Sequence, residues 1–385
     1  MGSPIPGSRA VGWRNIDFEP WGRQFRRPAE RDVSGHRPPC RTPEARVRVA
    51  VERVVDLLRT IDREARRAER TIPTPQEREV VASKFWSVIR ELETINRGLS
   101  DSARGRCVSA AREVLHPWLF RSDYWSRSYL KPHGHAGDFR TLEWIYDLER
   151  DPCADLTKPV VINLLDYLYR TMHCVRAMWH RRRWYAELVS HLVAANHTRP
   201  PLRILDLGCC GSRYVRDVIG YERDPTRLEL TLLDPDPAAL AFVRGWLPNR
   251  LRGCTRLICG PVQHVRELVR DHAVDAVPRF DLVLSTGLLG YLDQRAATDL
   301  LSDMTELARP GGLVAVSNFT PEDASRIVRD WIIDWPLICR PVPALRGLVP
   351  GEHAVGFDRS PDGGLVHALV SAPVNRKRPS PARTR

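Results

Sequence analysis

The sequence predicts an α/β protein in which a doubly wound parallel sheet follows an N-terminal helical domain. Three observations predict this fold. Apolar residues recur at helical spacing up to about residue 199, short apolar runs alternate with helical stretches after it, and the last two apolar segments are joined by turn residues. Buried strands that alternate with helices form parallel sheets. The closing pair adds a hairpin to that sheet.

The first half of the folded chain has the pattern of amphipathic helices. In RVRVAVERVVDLLRTIDREARRAER, which starts near residue 45, apolar residues recur every three or four positions with charged residues opposite them. The predicted helices cover residues 45–70, 75–98, 102–120, 138–148, 158–172 and 174–196. Their patterns fit a lid over a site and a homodimer interface equally well.

Five short apolar runs after residue 201 predict buried strands. They are RILDLG (203–208), LELTLLD (228–234), TRLICG (255–260), FDLVLS (280–285) and GLVAVSNF (312–319). The helical stretches among them lie at 237–247, 261–271, 293–308 and 321–333. The segments 352–357 and 364–372 flank DRSPDGG, a sequence typical of a tight turn. The whole pattern predicts a Rossmann-like sheet of seven strands whose last hairpin is antiparallel.

Composition divides the chain into four regions. We expect a disordered tail rich in basic residues and proline at 1–44, a helical domain or lid at 45–199, an α/β domain at 200–373 and a basic disordered tail at 374–385. Of the net charge of +12, the first 50 residues carry +5 and the last ten carry +5. Because the charge lies in the tails, it does not indicate a specific nucleic-acid partner.

Membrane segments and metal sites are not predicted. No apolar run approaches the roughly 18–20 residues that span a bilayer, and the N-terminus has no signal-peptide pattern, so we expect a cytoplasmic protein without a membrane partner. The nine cysteines are odd in number and include no CxxC pair. Reduced thiols are therefore expected, rather than disulfides or a zinc site.

The stretch ILDLGCCGSR (204–213) has the pattern of a ligand-binding turn. Glycine after a strand lets the backbone turn tightly, and the next helix begins with free N–H groups. This pattern alone fits NAD, flavin or S-adenosylmethionine. Asp206 precedes Gly208 where dinucleotide sites usually show GxGxxG, and a carboxylate there suits the amino group of a methionine moiety. We predict cofactor contacts from Asp206, Gly208, Cys209 and Gly211.

The tip of the second strand carries Asp234, whose carboxylate can accept both hydroxyls of a ribose. Pro235 follows it and is also predicted to contact the cofactor. Asp236 is expected to cap the next helix.

The tips of the third and fourth strands complete the predicted pocket. Gly260 and Val262 lie where an adenine ring would be held. The fourth strand leads into Ser285, Thr286 and Gly287, which we expect to line the pocket above the sulfonium.

Residues 200–373 resemble class I S-adenosylmethionine-dependent methyltransferases. A narrower resemblance, from about residue 120 to 373, is to the bacterial group of extracellular-factor 3-hydroxypalmitic acid methyl ester biosynthesis proteins. It is carried by KPHGHAGDF (131–139), AMWHRRRWYAELV (177–189), TGLLGYLDQRAATDLL (286–301), PGGLVAVSNFTP (310–321) and DWPLICR (334–340). The resemblance implies S-adenosylmethionine as cofactor and methyl transfer to a carboxylate, which gives a methyl ester.

Three residues depart from that group's motifs. Cys210 stands where the glycine loop usually has its second Gly, His135 replaces the Tyr of GYAGD, and Cys339 replaces the Tyr of the YR pair. These departures indicate a changed substrate, a changed reaction or weakened turnover.

Five residues are candidates for the chemistry. Arg340 or Lys131 would hold an acceptor carboxylate, and arginine is better suited to a bidentate contact. Tyr291 would hydrogen-bond to cofactor or substrate, or else pack in the core. His135 would act as a base if the acceptor is an amine, a hydroxyl or a carbon acid. Asp138 would either contact the cofactor from a lid segment or cap the following helix.

The leading hypothesis is therefore a methyltransferase acting on a small molecule, a hydroxy-acid or an amine-bearing metabolite, with a carboxylate as the first choice of acceptor group. The alternatives are N- or O-methylation of a specialised metabolite, a lyase or cyclase that consumes the sulfonium, and a non-catalytic cofactor-binding protein. Nucleic-acid methylation is disfavoured, because no Asn/Asp-Pro-Pro-Tyr motif follows the fourth strand.

Overall fold

The structure, a computed structural model, describes residues 42–150, 153–196, 200–221, 227–271, 279–351 and 353–372. The predicted tails lie outside these residues, except that residues 43 and 44 belong to the first helix. Before the first strand the described chain is helical. Its helices are α1 (Pro43–Arg67), α2 (Pro75–Asn96), α3 (Asp101–Leu119), α4 (Asp123–Leu130), α5 (Phe139–Leu148), α6 (Val160–Arg170) and α7 (His173–Ala195), together called the bundle.

Side-chain caps fix where several of these helices begin. The Thr42 side chain accepts the Ala45 N–H at the start of α1, and Thr74 and Glu77 form a capping box at the start of α2. Helix α4 was missing from the sequence prediction, because its eight residues are too few to show a periodic pattern. It ends at Lys131, whose φ of 49° is left-handed.

The second half forms one sheet of seven strands in the order β3-β2-β1-β4-β5-β7-β6. β1 to β5 pair in parallel, and β7 runs antiparallel to both β5 and β6. The predicted fold class is confirmed. The strands are β1 (Leu202–Leu207), β2 (Leu228–Asp234), β3 (Thr255–Cys259), β4 (Phe280–Ser285), β5 (Ala308–Phe319), β6 (Val355–Arg359) and β7 (Leu365–Ser371).

Helices pack beside this sheet and connect its strands. They are α8 (Arg213–Tyr221), α9 (Pro237–Trp246), α10 (Val265–Asp271), α11 (Gln294–Leu307) and α12 (Val342–Arg346). The strand order reverses between β1 and β4, which pair in parallel, so their carboxyl ends adjoin. Open α/β sheets bind their ligands at such a reversal.

The connection from β5 to β6 packs into the bundle. The predicted helix at 321–333 is only a π-helical turn, Val328–Ile332, and its Trp331 is buried among bundle side chains. Arg112 of α3 donates from Nε to the Trp331 carbonyl at 2.6 Å, and His116 contacts the Ile332 carbonyl at 2.9 Å. These side-chain contacts hold the irregular turn, which explains why helical periodicity overestimated its length.

Among the described residues, no helix is both long and apolar enough to cross a lipid bilayer.

Candidate functional site

The carboxyl tips of β1, β2 and β4 form the floor of the candidate site. Asp234, at the end of β2, is 5% exposed. Its Oδ2 accepts the Cys210 N–H at 2.7 Å and its Oδ1 accepts the Asp236 N–H at 2.9 Å. Burial raises the pKa of the Asp234 carboxyl, although these two hydrogen bonds favour the charged form. Two backbone donors thus fix the carboxylate and leave one side of each oxygen for another donor.

Asp206, near the end of β1, lies completely inside the protein. Its Oδ2 accepts hydrogen bonds from Ser212 Oγ at 3.0 Å and from the Tyr214 hydroxyl, whereas its Oδ1 has no partner. Burial raises the pKa of the Asp206 carboxyl to about 7, against the effect of these two hydroxyls. A buried carboxylate oxygen without a donor indicates a position for a cationic ligand group.

The loop between β1 and α8 takes left-handed conformations at three residues, with φ of 66° at Gly208, 49° at Cys210 and 44° at Ser212. A Cβ at Gly208 would lie 2.9 Å from the Leu288 side chain, so only glycine fits there. The φ of Cys210 gives a reason why related loops carry glycine at this position. Cys209 is buried, and its N–H bonds to the Leu233 carbonyl at 3.1 Å.

Gly211 has a different role from the one predicted. A Cβ there would lie 2.8 Å from Glu143 Oε1, so the glycine makes room for a side chain of α5. Glu143 in turn pairs with Arg213 at 2.6 Å and with Arg216 at 2.7 Å. Gly211 therefore joins the sheet to the bundle rather than facing a ligand.

The tip of β4 supplies Ser285, Thr286 and Gly287. Ser285 is fully buried and its Oγ has no hydrogen-bond partner. The Thr286 carbonyl accepts from Arg181 Nη1 at 3.2 Å, and a Cβ at Gly287 would lie 3.0 Å from the same nitrogen. The predicted residues of this tip thus meet a side chain of α7.

The prediction for the tip of β3 needs correction. The open face of Gly260 is filled by Leu268, whose Cδ1 would lie 2.6 Å from a Cβ at that position. Val262 is 7% exposed and packs in the core on one side of the sheet. Pro235 is exposed, and its carbonyl lies 3.7 Å from Cys259 Sγ.

Residues 131–138, with Tyr291 and Trp335, form a roof that meets the loop after β1. The Tyr291 hydroxyl donates to the Ala136 carbonyl at 2.8 Å and accepts from Trp335 Nε1 at 2.7 Å. Cys210 Sγ lies 3.9 Å from the Gly137 carbonyl. Gly137 has a φ of 78°, and a Cβ there would lie 2.6 Å from Trp335. Roof and loop are therefore in contact.

Other predicted residues of the roof are engaged in structural contacts. Asp138 is fully buried and caps α5: it accepts the Thr141 N–H at 3.0 Å and pairs with Arg127 at 3.3 Å. Its oxygens accept from the Thr141 N–H and hydroxyl and from Arg127, so the structure shows the predicted helix cap, and a cofactor contact of Asp138 stays a prediction. Lys131 Nζ pairs with Asp334 at 2.7 Å. His135 is exposed, and its Nδ1 lies 3.3 Å from the His133 carbonyl.

Arg340 also requires a correction. It is 4% exposed, and its guanidinium donates to the carbonyls of Leu289 at 2.6 Å and Leu292 at 2.5 Å. A third bond goes to Asn318 Oδ1 at 3.2 Å. These bonds use three of its five N–H donors, and because the guanidinium is buried, they make Arg340 a brace for the segment after β4.

Sequence reasoning missed Arg181, Tyr146 and Trp335 as residues of the site. All three come from elements distant in sequence from the strand tips they approach. The motif AMWHRRRWYAELV contains Arg181, but three successive arginines do not show which one faces inward.

The described residues fit a nucleoside carrying an amino acid group. Asp206 Oδ1 and Ser285 Oγ are buried without partners, which suits the amino group of a methionine moiety. Two backbone N–H groups fix the carboxylate of Asp234, which suits ribose hydroxyls.

A protein family model described as a methyltransferase domain matches residues 178–358. This match spans all of β1 to β5 and most of the strand-tip residues described above. Residues 178–358 are therefore similar to a methyltransferase domain. Curated proteins gave no match to the chain.

Several solved structures are similar to the chain. A "possible exported protein" from Bordetella parapertussis is 16% identical, with a TM-score of 0.48, over 87% of this chain and 98% of that one. The N-methyltransferase NodS from Bradyrhizobium japonicum, in complex with S-adenosyl-L-homocysteine, is 14% identical, with a TM-score of 0.35, over 61% and 98%. Magnesium protoporphyrin IX methyltransferase from Synechocystis is 11% identical, with a TM-score of 0.39, over 51% and 86%.

Proposed function

We propose that the protein transfers the methyl group of S-adenosylmethionine to a carboxylate of a small molecule and so forms a methyl ester. The observation that carries this proposal is the kind of side chain present where roof and loop meet. Cys210 Sγ lies 3.9 Å from the Gly137 carbonyl, and the Tyr291 hydroxyl is held between the Ala136 carbonyl and Trp335 Nε1. A carboxylate acceptor is already ionised at neutral pH and needs no general base from such groups.

The roof supports a small acceptor. Residues 131–138 lie against the loop after β1, and the Tyr291 hydroxyl ties Ala136 to Trp335. A polymer would need an open groove in that place. The resemblance of KPHGHAGDF to the methyl ester group's motif also falls within this roof.

When bound, S-adenosylmethionine supplies an electrophilic methyl group on its sulfonium sulfur. The residues of the chain contribute orientation and exclusion of water. Asp234 presents a carboxylate that two backbone donors hold in place, so ribose hydroxyls meet a rigid acceptor. Asp206 offers Oδ1 to an ammonium group, and the roof shields the floor from water. No side chain has to take a proton from an acceptor that is already ionised.

A second candidate is methylation of an amine or hydroxyl with His135 as base. His135 is exposed on the roof and precedes Ala136, whose carbonyl accepts from the Tyr291 hydroxyl. Replacement His135→Ala would then lower kcat more than cofactor affinity. Unchanged turnover would remove His135 from the mechanism.

The test uses full-length protein with S-adenosylmethionine labelled in the methyl group and a panel of carboxylic acids, hydroxy-acids and amines. Methyl esters release volatile labelled methanol in mild alkali, whereas N-methyl and ether products do not. Alkali-labile label in the acid samples is the expected result. Alkali-stable label would establish the second candidate instead.

The by-product separates the remaining reactions. S-adenosylhomocysteine is expected in proportion to the product. Methylthioadenosine formed in its place would show a lyase or cyclase, and tight cofactor binding with no product over the whole panel would show a non-catalytic protein.

A further inference from the structure

Arg181 of α7 is a buried cation without a counter-charge. It is 6% exposed, and among the described residues no carboxylate lies within 4 Å of its guanidinium. Nη1 donates to the Thr286 carbonyl at 3.2 Å and Nη2 to the Tyr146 hydroxyl at 3.3 Å. The buried Nε has no acceptor.

Two of the other three buried arginines of the described chain pair with carboxylates, and the third, Arg340, donates to two carbonyls and the Asn318 side chain. Among these four, only Arg181 combines the lack of a carboxylate partner with a buried nitrogen that has no acceptor. Arg182, next to Arg181, pairs with Asp217 at 2.6 Å and with Glu149 at 3.5 Å. Arg329 pairs with Asp323 at 2.7 Å. Burying a cation without such a partner is unfavourable. The missing partner of Arg181 is therefore expected to be a ligand.

The position of Arg181 indicates which ligand. Nη1 lies beside Thr286 and Gly287 at the tip of β4, the strand adjacent to β1. Asp206 of β1 pairs in register with Leu284 of β4, two residues before Thr286, and Leu288 lies against Gly208 of the loop after β1. One cation and one anion, each with a buried atom lacking a partner, therefore lie at adjacent strand tips.

This arrangement is complementary to the zwitterionic end of an amino acid. We propose that Arg181 binds the α-carboxylate of S-adenosylmethionine opposite Asp206, which binds the α-amino group. This inference rests on the proposed function. It makes Arg181 a cofactor-binding residue and leaves the acceptor to be held by other groups.

The experiment compares two ligands by calorimetry on full-length protein: S-adenosylhomocysteine and its decarboxylated form, which keeps the amine and lacks the carboxylate. Wild-type protein is expected to bind S-adenosylhomocysteine about 10- to 100-fold more tightly, as a charge-assisted hydrogen-bonded pair requires. In Arg181→Gln this ratio should fall to within about threefold, while affinity for the decarboxylated ligand changes little. Arg182→Gln is the matched control, because it removes an equally buried arginine of the same helix and should keep the wild-type ratio.

The outcomes separate the two proposals. If wild-type protein binds neither ligand, the cofactor site itself is wrong. If it binds both equally, or if Arg181→Gln keeps the wild-type ratio, only the role of Arg181 is wrong. Arg181→Lys retains the charge without the planar fork and should give an intermediate ratio. If Arg181→Gln does not fold, the ratio of the two ligand affinities in wild-type protein and in Arg181→Lys tests the role of Arg181.

Discussion

The floor and the roof of the site differ in how their polar groups are satisfied. In the floor, Asp206 Oδ1 and Ser285 Oγ are buried with no partner. In the roof, the Tyr291 hydroxyl has both a donor and an acceptor, and Asp138 and Lys131 are paired. Native proteins rarely leave buried polar atoms unpaired. The contrast agrees with the proposal that a ligand completes the floor, whereas the named groups of the roof are satisfied by the protein itself.

The largest expected effect comes from removing the central carboxylate of the floor. Asp234→Ala should weaken S-adenosylhomocysteine binding at least about 100-fold, because it removes the acceptor of two ribose hydroxyls and releases the Cys210 N–H. Isothermal calorimetry measures this loss. Asp236→Ala is the control: it should cost about 1 kcal/mol of stability through loss of the α9 cap and change affinity less than about threefold. Equal losses in both variants would refute the ribose assignment.

Substitution of Arg340, which supports the segment after β4, should lower the free energy of unfolding rather than cofactor affinity. Arg340→Met leaves the carbonyls of Leu289 and Leu292 and the Asn318 side chain without their donor. We expect a loss of about 3 kcal/mol in the free energy of unfolding, measured by urea denaturation. Arg295→Met, at a side chain that is 92% exposed, should change stability by less than about 0.5 kcal/mol. A stable Arg340→Met protein with impaired turnover would restore the acceptor-binding role.

The floor should also give cofactor binding a pH dependence. Burial raises the pKa of Asp206 to about 7, so the carboxyl is mostly protonated below that pH in the free protein. An ammonium ligand requires the ionised form. Affinity for S-adenosylhomocysteine should therefore rise about tenfold from about pH 6 to about pH 8 and level off above that. Calorimetry over this range measures the rise. A flat profile in wild type, or an unchanged slope in Asp206→Asn, would contradict the assignment of the amino group.

Folding stability should change with pH in the opposite direction, between about pH 4 and about pH 7. The folded-state pKa of Asp206 lies above its unfolded value of 3.8, so the folded protein binds the proton more tightly. The contribution of Asp206 to stability is full below about pH 4 and declines as pH rises toward about 7.

The smallest expected effect concerns the loop that joins floor and roof. Cys210 has a φ of 49°, which costs a non-glycine residue about 1 kcal/mol. Cys210→Gly should raise the free energy of unfolding by up to that amount and leave cofactor affinity equal or higher. Thermal denaturation and calorimetry measure both. Cys209→Gly is the matched control and should destabilise the protein, since Cys209 is buried and packs in the core. Weaker cofactor binding by Cys210→Gly would assign the thiol a direct contact.

The sequence predicted the floor better than the roof, for a physical reason. Asp206, Gly208 and Asp234 lie at the ends of apolar runs, and parallel strands bring such ends to one edge of the sheet. Gly211, Gly260 and Asp138 are residue types common in cofactor sites. Neighbouring side chains nevertheless fill the space beside both glycines, and Thr141 donates to Asp138. The role of Arg340 depends on backbone carbonyls that no sequence pattern marks. The position of Arg181 could be inferred only from the structure, in which α7 of the bundle contacts the tip of β4.

The turn Val328–Ile332 has a consequence for the whole molecule. This part of the connection between β5 and β6 is buried among the helices of the bundle, where Arg112 and His116 hold its carbonyls. The bundle and the sheet therefore share one interior, and neither can lose its structure without exposing the other's apolar surface. A cofactor bound at the strand tips stabilises the folded chain as a unit. Slower amide hydrogen exchange should follow even in α3, which contacts this turn through Arg112 and His116.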